Sequence, residues 1–150
     1  MAPLFAFLHH VAAFVLFAAL VVEFVLIRDE LTLRSARKLQ AADAVLGIAA
    51  GMLLVVGLLR VYHFEKGALY YFNTWTFIAK LSLFVILALV SVVPTIEFLS
   101  WRRAVKEGQA PVVEASKLRL IRSIIHLELV GIVLIILFAA LMAKGVGLML

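Results

Sequence analysis

Four stretches of about twenty apolar residues, the length that crosses the hydrocarbon core of a bilayer, run through this chain. They are roughly Leu4 to Ile27, Ala44 to Tyr62, Thr76 to Leu99 and Ser123 to Ala143. In lipid a single open segment satisfies its own backbone hydrogen bonds only as a helix, so each stretch is expected to be helical. Hydrophobic residues fill 66% of the 150 positions and charged residues 15%, against roughly 45–50% and about 25% in soluble domains. A soluble fold of this size has no interior large enough to hide that surface. The expectation is therefore one all-α, multi-pass membrane domain covering residues 1–150. The first stretch lacks a basic leader and is too long an apolar run for a cleaved signal peptide. No cysteine occurs, which removes disulfides, thiolate metal sites and thiol catalysis together.

Charge placement predicts the orientation. The loop after the first span carries Arg28, Arg34, Arg37 and Lys38, and the loop after the third carries Arg102, Arg103, Lys106, Lys117, Arg119 and Arg122. The other side has only Arg60, Lys66 and Lys144. By the positive-inside rule the two basic loops face the cytoplasm and both termini lie on the non-cytoplasmic side. The net charge of +5 then reflects anionic lipid as a partner and calls for no nucleic acid. Short connections make neighbouring helices antiparallel, giving an up-and-down four-helix bundle.

The middle loop holds Tyr62, Phe64, Tyr70, Tyr71, Phe72 and Trp75, a composition suited to an interfacial aromatic belt. Gly67 supplies its turn. Gly108 and Pro111 break the long polar segment between the third and fourth spans. Gly47, Gly51 and Gly57 fall on one stripe of the second helix, where small residues let helices approach. Internal packing is one use of that stripe and a homo-oligomer seam through Gly47 and Gly51 is another.

Polar groups at membrane depth are costly unless paired or useful, and here they sort into two layers. His9, His10, Arg60, His63 and Lys80 fall toward the end that carries the termini. Glu23, Asp43, Glu97, His126 and Glu128 fall toward the end with the basic loops. His9 and His10 are adjacent and point about 100° apart on a helix, so only one of them can face the bundle squarely. An imidazole close to Arg and Lys suits haem b: His9 or His10 ligates the iron, while Arg60, His63 and Lys66 hold or flank the cofactor. Lys80, Glu23 and Glu97 are the candidate catalytic groups, Lys80 beside the cofactor and the carboxylates as a proton path. A quinone headgroup or a small anion fits the same cationic layer. Asp43 reads as the N-cap of the second helix. Pro94 leaves the Val90 carbonyl without its helical donor and is expected to kink the third helix. His126 and Glu128 lie about 200° apart on their helix and cannot share one metal, and the Glu-x-x-His spacing of di-iron bundles is absent.

The run Gly57–Arg60, Glu65–Lys66–Gly67, Tyr71, Asn73, Phe77 and Lys80, with Pro94–Thr95 and Trp101, resembles an uncharacterised family of small four-helix bacterial inner-membrane proteins. That resemblance spans nearly the whole chain and implies a multi-pass protein of the bacterial plasma membrane. A more distant likeness is to HemJ-type protoporphyrinogen oxidases, four-helix membrane proteins that bind haem b. Their early first-helix His and third-helix Ala-Lys pair correspond to His9 or His10 and to Ala79–Lys80. The Trp-x-x-Gly and Asn-Glu-x-Pro patterns of that family do not occur here. The likeness implies a haem-dependent membrane oxidoreductase whose partner is a quinone, a porphyrin or an oxygen species. Two other classes fit the residues: a small proton-coupled transporter using Glu23, and a non-catalytic scaffold whose polar groups only fix helix pairing.

Overall fold

The structure, a computed structural model, describes residues 1–149. In chain order the elements are α1 (Ala2–Arg28), α2 (Leu33–Leu59), a π-helical turn (Arg60–Phe64), α3 (Ala68–Phe72), α4 (Trp75–Ser100), α5 (Arg102–Lys106) and α6 (Ala115–Ala143). Four helices, with the π turn prolonging α2 and α5 prolonging α4, are long and apolar enough to cross a membrane. They form an all-α membrane bundle in which α1 packs on α2, α2 on α4, α4 on α6 and α6 on α1.

The second helix begins at Leu33, well before the apolar run at Ala44. Thr32 and Ser35 build a reciprocal capping box: the Ser35 amide donates to Thr32 Oγ1 and the Thr32 amide to Ser35 Oγ. Such a cap satisfies amides that a helix start leaves free. The first turns are amphipathic, with Arg34, Arg37 and Lys38 outward and Ala36, Leu39 and Ala42 buried. Asp43 therefore does not cap this helix: it lies in the helix interior, buried. The same physics starts α6 at Ala115 instead of Ser123, because Lys117, Arg119 and Arg122 belong to an amphipathic turn. Pro94 is buried inside α4, which continues as one helix to Ser100. Gly67 and Gly108 both take positive φ, 87° and 77°, which an L side chain resists.

Packing is uneven along the bundle. The larger core fills the basic-loop end with Leu20, Ile27, Leu39, Phe98, Ile121 and Ile125 among its members. There α2 is fastened to α4 by Gln40 Nε2 donating to the Phe98 carbonyl (2.7 Å) and by Thr95 Oγ1 donating to Asp43 Oδ1 (2.6 Å). There also α6 is fastened to α1 by Arg122 Nε donating to the Ile27 carbonyl (2.8 Å). A smaller core of Val61, Tyr71 and Phe77 closes the end that carries the termini. Elsewhere α1 hugs α2 and α4 hugs α6, but these two pairs touch each other much less. Among the described residues α2 meets α4 only sparsely and α1 does not meet α4 at all. The result is two helical hairpins joined by a larger core at one end and a smaller one at the other, with a gap between them.

The final turn of the chain completes that second end. Trp75 donates its amide to the Gly147 carbonyl (2.8 Å), Met149 donates to the Asn73 carbonyl (2.8 Å), and Thr76 Oγ1 donates to the Val146 carbonyl (2.9 Å). These bonds take up amides and hydroxyls at the start of α4 that no helical carbonyl reaches.

Candidate functional site

The gap between the hairpins is a cavity of about 930 Å³. Its walls are almost wholly apolar, made by Leu16, Leu53, Phe84, Leu87 and Ile132 among others. Phe14 and Ile136 line it while remaining 75% and 59% exposed; their exposed faces mark where the cavity opens sideways, toward lipid in a membrane protein. Polar groups enter at its two ends only.

At the end nearer the termini are His9, His10, Arg60, Glu65 and Lys80, all lining the cavity. The His9 imidazole is half-buried, and its Nδ1 has no hydrogen-bond partner. Gly57 lies against it: a Cβ at Gly57 would come within 3.2 Å of His9 Cε1. The absence of a side chain at that position gives the ring its place. His10 is the more exposed of the pair and donates its Nδ1–H to the Ala6 carbonyl at 2.6 Å. The inward-facing histidine is thus His9, with its ring perpendicular to that of His10.

Arg60 opens the π-helical turn and pairs with Glu65 at 2.7 Å, while its buried Nε is left without a partner. A π turn adds a residue to the helical circuit and lets Arg60 and Val61 both reach the cavity wall. Lys80 is held over the Phe77 ring, 5.5 Å from its centre, and no ion pair with it is present among the described residues. Tyr71 is buried beside these groups, and burial pushes its phenol above the ordinary tyrosine range, with the nearby Glu65 carboxylate adding to the effect. Two expected members stand apart. His63 is exposed and stacks edgewise on Phe64, and Lys66 is exposed and sits over the Tyr70 ring at 4.5 Å; neither lines the cavity.

At the opposite end the cavity reaches Ser91, Thr95 and Glu128. Just beyond lie Glu23, fully enclosed by helices, and Asp43, buried but lining a second, open pocket beside Gln40 and Arg102. Glu97 is elsewhere: it accepts from Trp101 Nε1 at 3.0 Å and pairs with Lys117 at 3.0 Å, tying α4 to the start of α6. His126 is exposed and faces Phe24. Among the described residues no three His, Asp or Glu side chains converge as a metal site would require.

The glycines divide differently from their stripe. A Cβ at Gly47 or Gly51 would meet nothing within 4 Å, so neither serves packing inside this bundle. The close helix approach occurs at Gly131 of α6, where a Cβ would overlap the Leu87 side chain of α4. Its sequence signal was a lone glycine in the last apolar run. Gly131 and Ser91 are site residues that the sequence reading does not point to, while Tyr71 and Thr95 appear in it only within the aromatic loop and the family-like run.

Comparison with known proteins yields one finding. The family model described as "Predicted membrane protein (DUF2214)" matches residues 2–147. No curated protein and no solved structure matches the chain.

Proposed function

We infer that this chain, which belongs to the DUF2214 family of predicted membrane proteins, is a b-type haem protein of the bacterial inner membrane, with the cofactor in the cavity between its hairpins. One observation carries this reading. His9 lines a large apolar cavity that opens toward lipid, and its buried imidazole Nδ1 has no hydrogen-bond partner.

The donor set fits the group. His9 offers an imidazole nitrogen to iron, and its ring is seated against Gly57 at the wall of the cavity. Lys80 is a cation without a carboxylate partner, and Arg60 has one donor free beyond its pair with Glu65; both are suited to propionates. The apolar walls exclude water and so strengthen those charge contacts. When bound, haem supplies one-electron redox chemistry that no side chain here provides. Lys80 keeps its place through Phe77, and Tyr71 seals the end of the cavity beneath Glu65. The sideways openings suit an electron partner dissolved in the bilayer, such as a quinone. The ten Lys and Arg residues of the two basic loops orient this end of the cavity away from the cytoplasm.

The experiment is the visible spectrum of the full chain purified in mild detergent, oxidised and then reduced with dithionite. A Soret band with reduced b-type bands at one haem per chain is expected, lost in His9→Ala and kept in His10→Ala. A chain that stays colourless when haem is supplied during expression, or one whose haem survives His9→Ala, overturns the assignment.

A further inference from the structure

The haem reading makes no use of the carboxyl groups at the far end of the cavity, and their placement is the less ordinary feature of the molecule. Three helices each bring one carboxyl to the same level: Glu23 from α1, Asp43 from α2 and Glu128 from α6. Glu23 is 0% exposed and neither of its oxygens has a hydrogen-bond partner. Asp43 and Glu128 are the charged groups that bear on it. Glu128 is 4% exposed, has its Oε2 without a partner, and is the one of the three that lines the cavity. The fourth helix, α4, contributes only hydroxyls here: Thr95 donates to Asp43, and Ser91 stands beside Glu128.

Among the described residues none of the three is ion-paired; Arg102, exposed, lines a second, open pocket together with Asp43 but forms no ion pair with it. The ion pairs among the described residues are Arg60–Glu65, Arg103–Glu107 and Lys117–Glu97. The long Arg122 side chain that might have served is spent on the Ile27 and Arg28 carbonyls. A buried carboxylate with no counter-charge costs many kcal/mol in an apolar medium, and three at one level repel one another as well. Neutralisation must come from protons or from a bound metal ion. The three side chains do not converge as ligands, which leaves protons.

We propose that Glu23, Asp43 and Glu128 form a proton-binding site at the floor of the cavity, with Glu128 as the group through which it exchanges with the cavity. Ser91 and Thr95 can each pass on or receive a hydrogen bond as the protons redistribute. The site holds whatever occupies the cavity above it, so it stands or falls separately from haem binding.

Dicyclohexylcarbodiimide tests it on the full chain in liposomes. The acid O–H adds across one C=N bond of this apolar reagent, so a carboxyl must carry its proton to react. At pH 7 the expected adduct, located by mass spectrometry, is on Glu128 or Glu23, with none on exposed Glu30, Glu107 or Glu114. Glu23→Gln and Glu128→Gln preserve side-chain shape, and in each the adduct at the substituted position should vanish. Infrared spectroscopy gives a second reading that does not depend on reagent access. A protonated-carboxyl carbonyl band is expected at pH 7, shifting in heavy water and weakening in Glu23→Gln. A correctly inserted protein with neither adduct nor band at pH 7 overturns the proposal. An adduct suppressed by added sodium or calcium overturns it in favour of a cation site.

Discussion

Gly57 and His9 are packed directly against each other: the imidazole edge occupies the space that a side chain on the facing helix would need, 3.2 Å from where a Cβ would sit. The ring orientation is thus set from α2 and not from α1. Gly57→Ala should leave the bundle folded but push the imidazole aside, an overpacking effect of about 1–3 kcal/mol. The expected readout is reduced haem occupancy or an altered reduced spectrum, with unchanged elution on size exclusion.

Gly47 and Gly51 give the opposite expectation. With open space where their Cβ atoms would go, alanine gains helix propensity of about 1 kcal/mol per site. A doubly substituted chain should melt at equal or higher temperature if the protein is monomeric. Loss of a larger species on crosslinking in liposomes, together with a lower melting temperature, would instead place a seam between copies along that stripe.

Gly131 faces Leu87 with no room for a methyl group. Gly131→Ala should destabilise the chain by about 1–3 kcal/mol. Adding Leu87→Ala should recover part of that loss, which a double-mutant cycle of thermal melts in detergent will measure.

Thr95 donates to Asp43 across the α2–α4 seam at 2.6 Å. Thr95→Val removes the donor while keeping the volume and leaves a buried oxygen unsatisfied, a cost of about 1–3 kcal/mol. The hairpins should separate more readily, seen as faster proteolysis within the connecting segment 107–114.

Tyr71 supplies the pH dependence at the high end. Burial raises its phenol above the ordinary tyrosine range, so the folded chain holds this proton where the unfolded chain releases it. Stability from this group is complete below about pH 10 and falls as pH rises beyond that value. Ultraviolet titration should show a tyrosine ionisation above the ordinary range, a late step that Tyr71→Phe removes.

The membrane class and the number of spans could be read directly, because runs of Leu, Val, Ile, Ala and Phe as long as a bilayer is thick have one structural outcome. Boundaries were harder. Arg34 to Gln40 looks like a loop by hydropathy, yet the Thr32–Ser35 capping box and the spacing of Ala36, Leu39 and Ala42 specify a helix that projects beyond the apolar run. Missing that start turned Asp43 into a cap when it is a buried partner of Thr95. The two polar layers follow from depth alone, whereas both His9 and His10 line the cavity, His9 being the more buried of the two. What depth does not give is azimuth. His63 and Lys66 share a level with Arg60 but look outward, and Glu97 shares a level with Asp43 but serves Trp101 and Lys117. The cavity itself has no local sequence signal, since it arises from two hairpins packing better within themselves than against each other.

The strand-like pairing of the last residues with the start of α4 has a practical corollary. Gly147 holds a φ of 102°, and a Cβ there would come within 2.8 Å of Trp75 Nε1 and 2.9 Å of Thr76 Cγ2, so the pairing tolerates no side chain at this position. Drawing Val146 to Met149 away from the start of α4 would leave the Trp75 amide and the Thr76 hydroxyl without these acceptors and the Asn73 carbonyl without this donor.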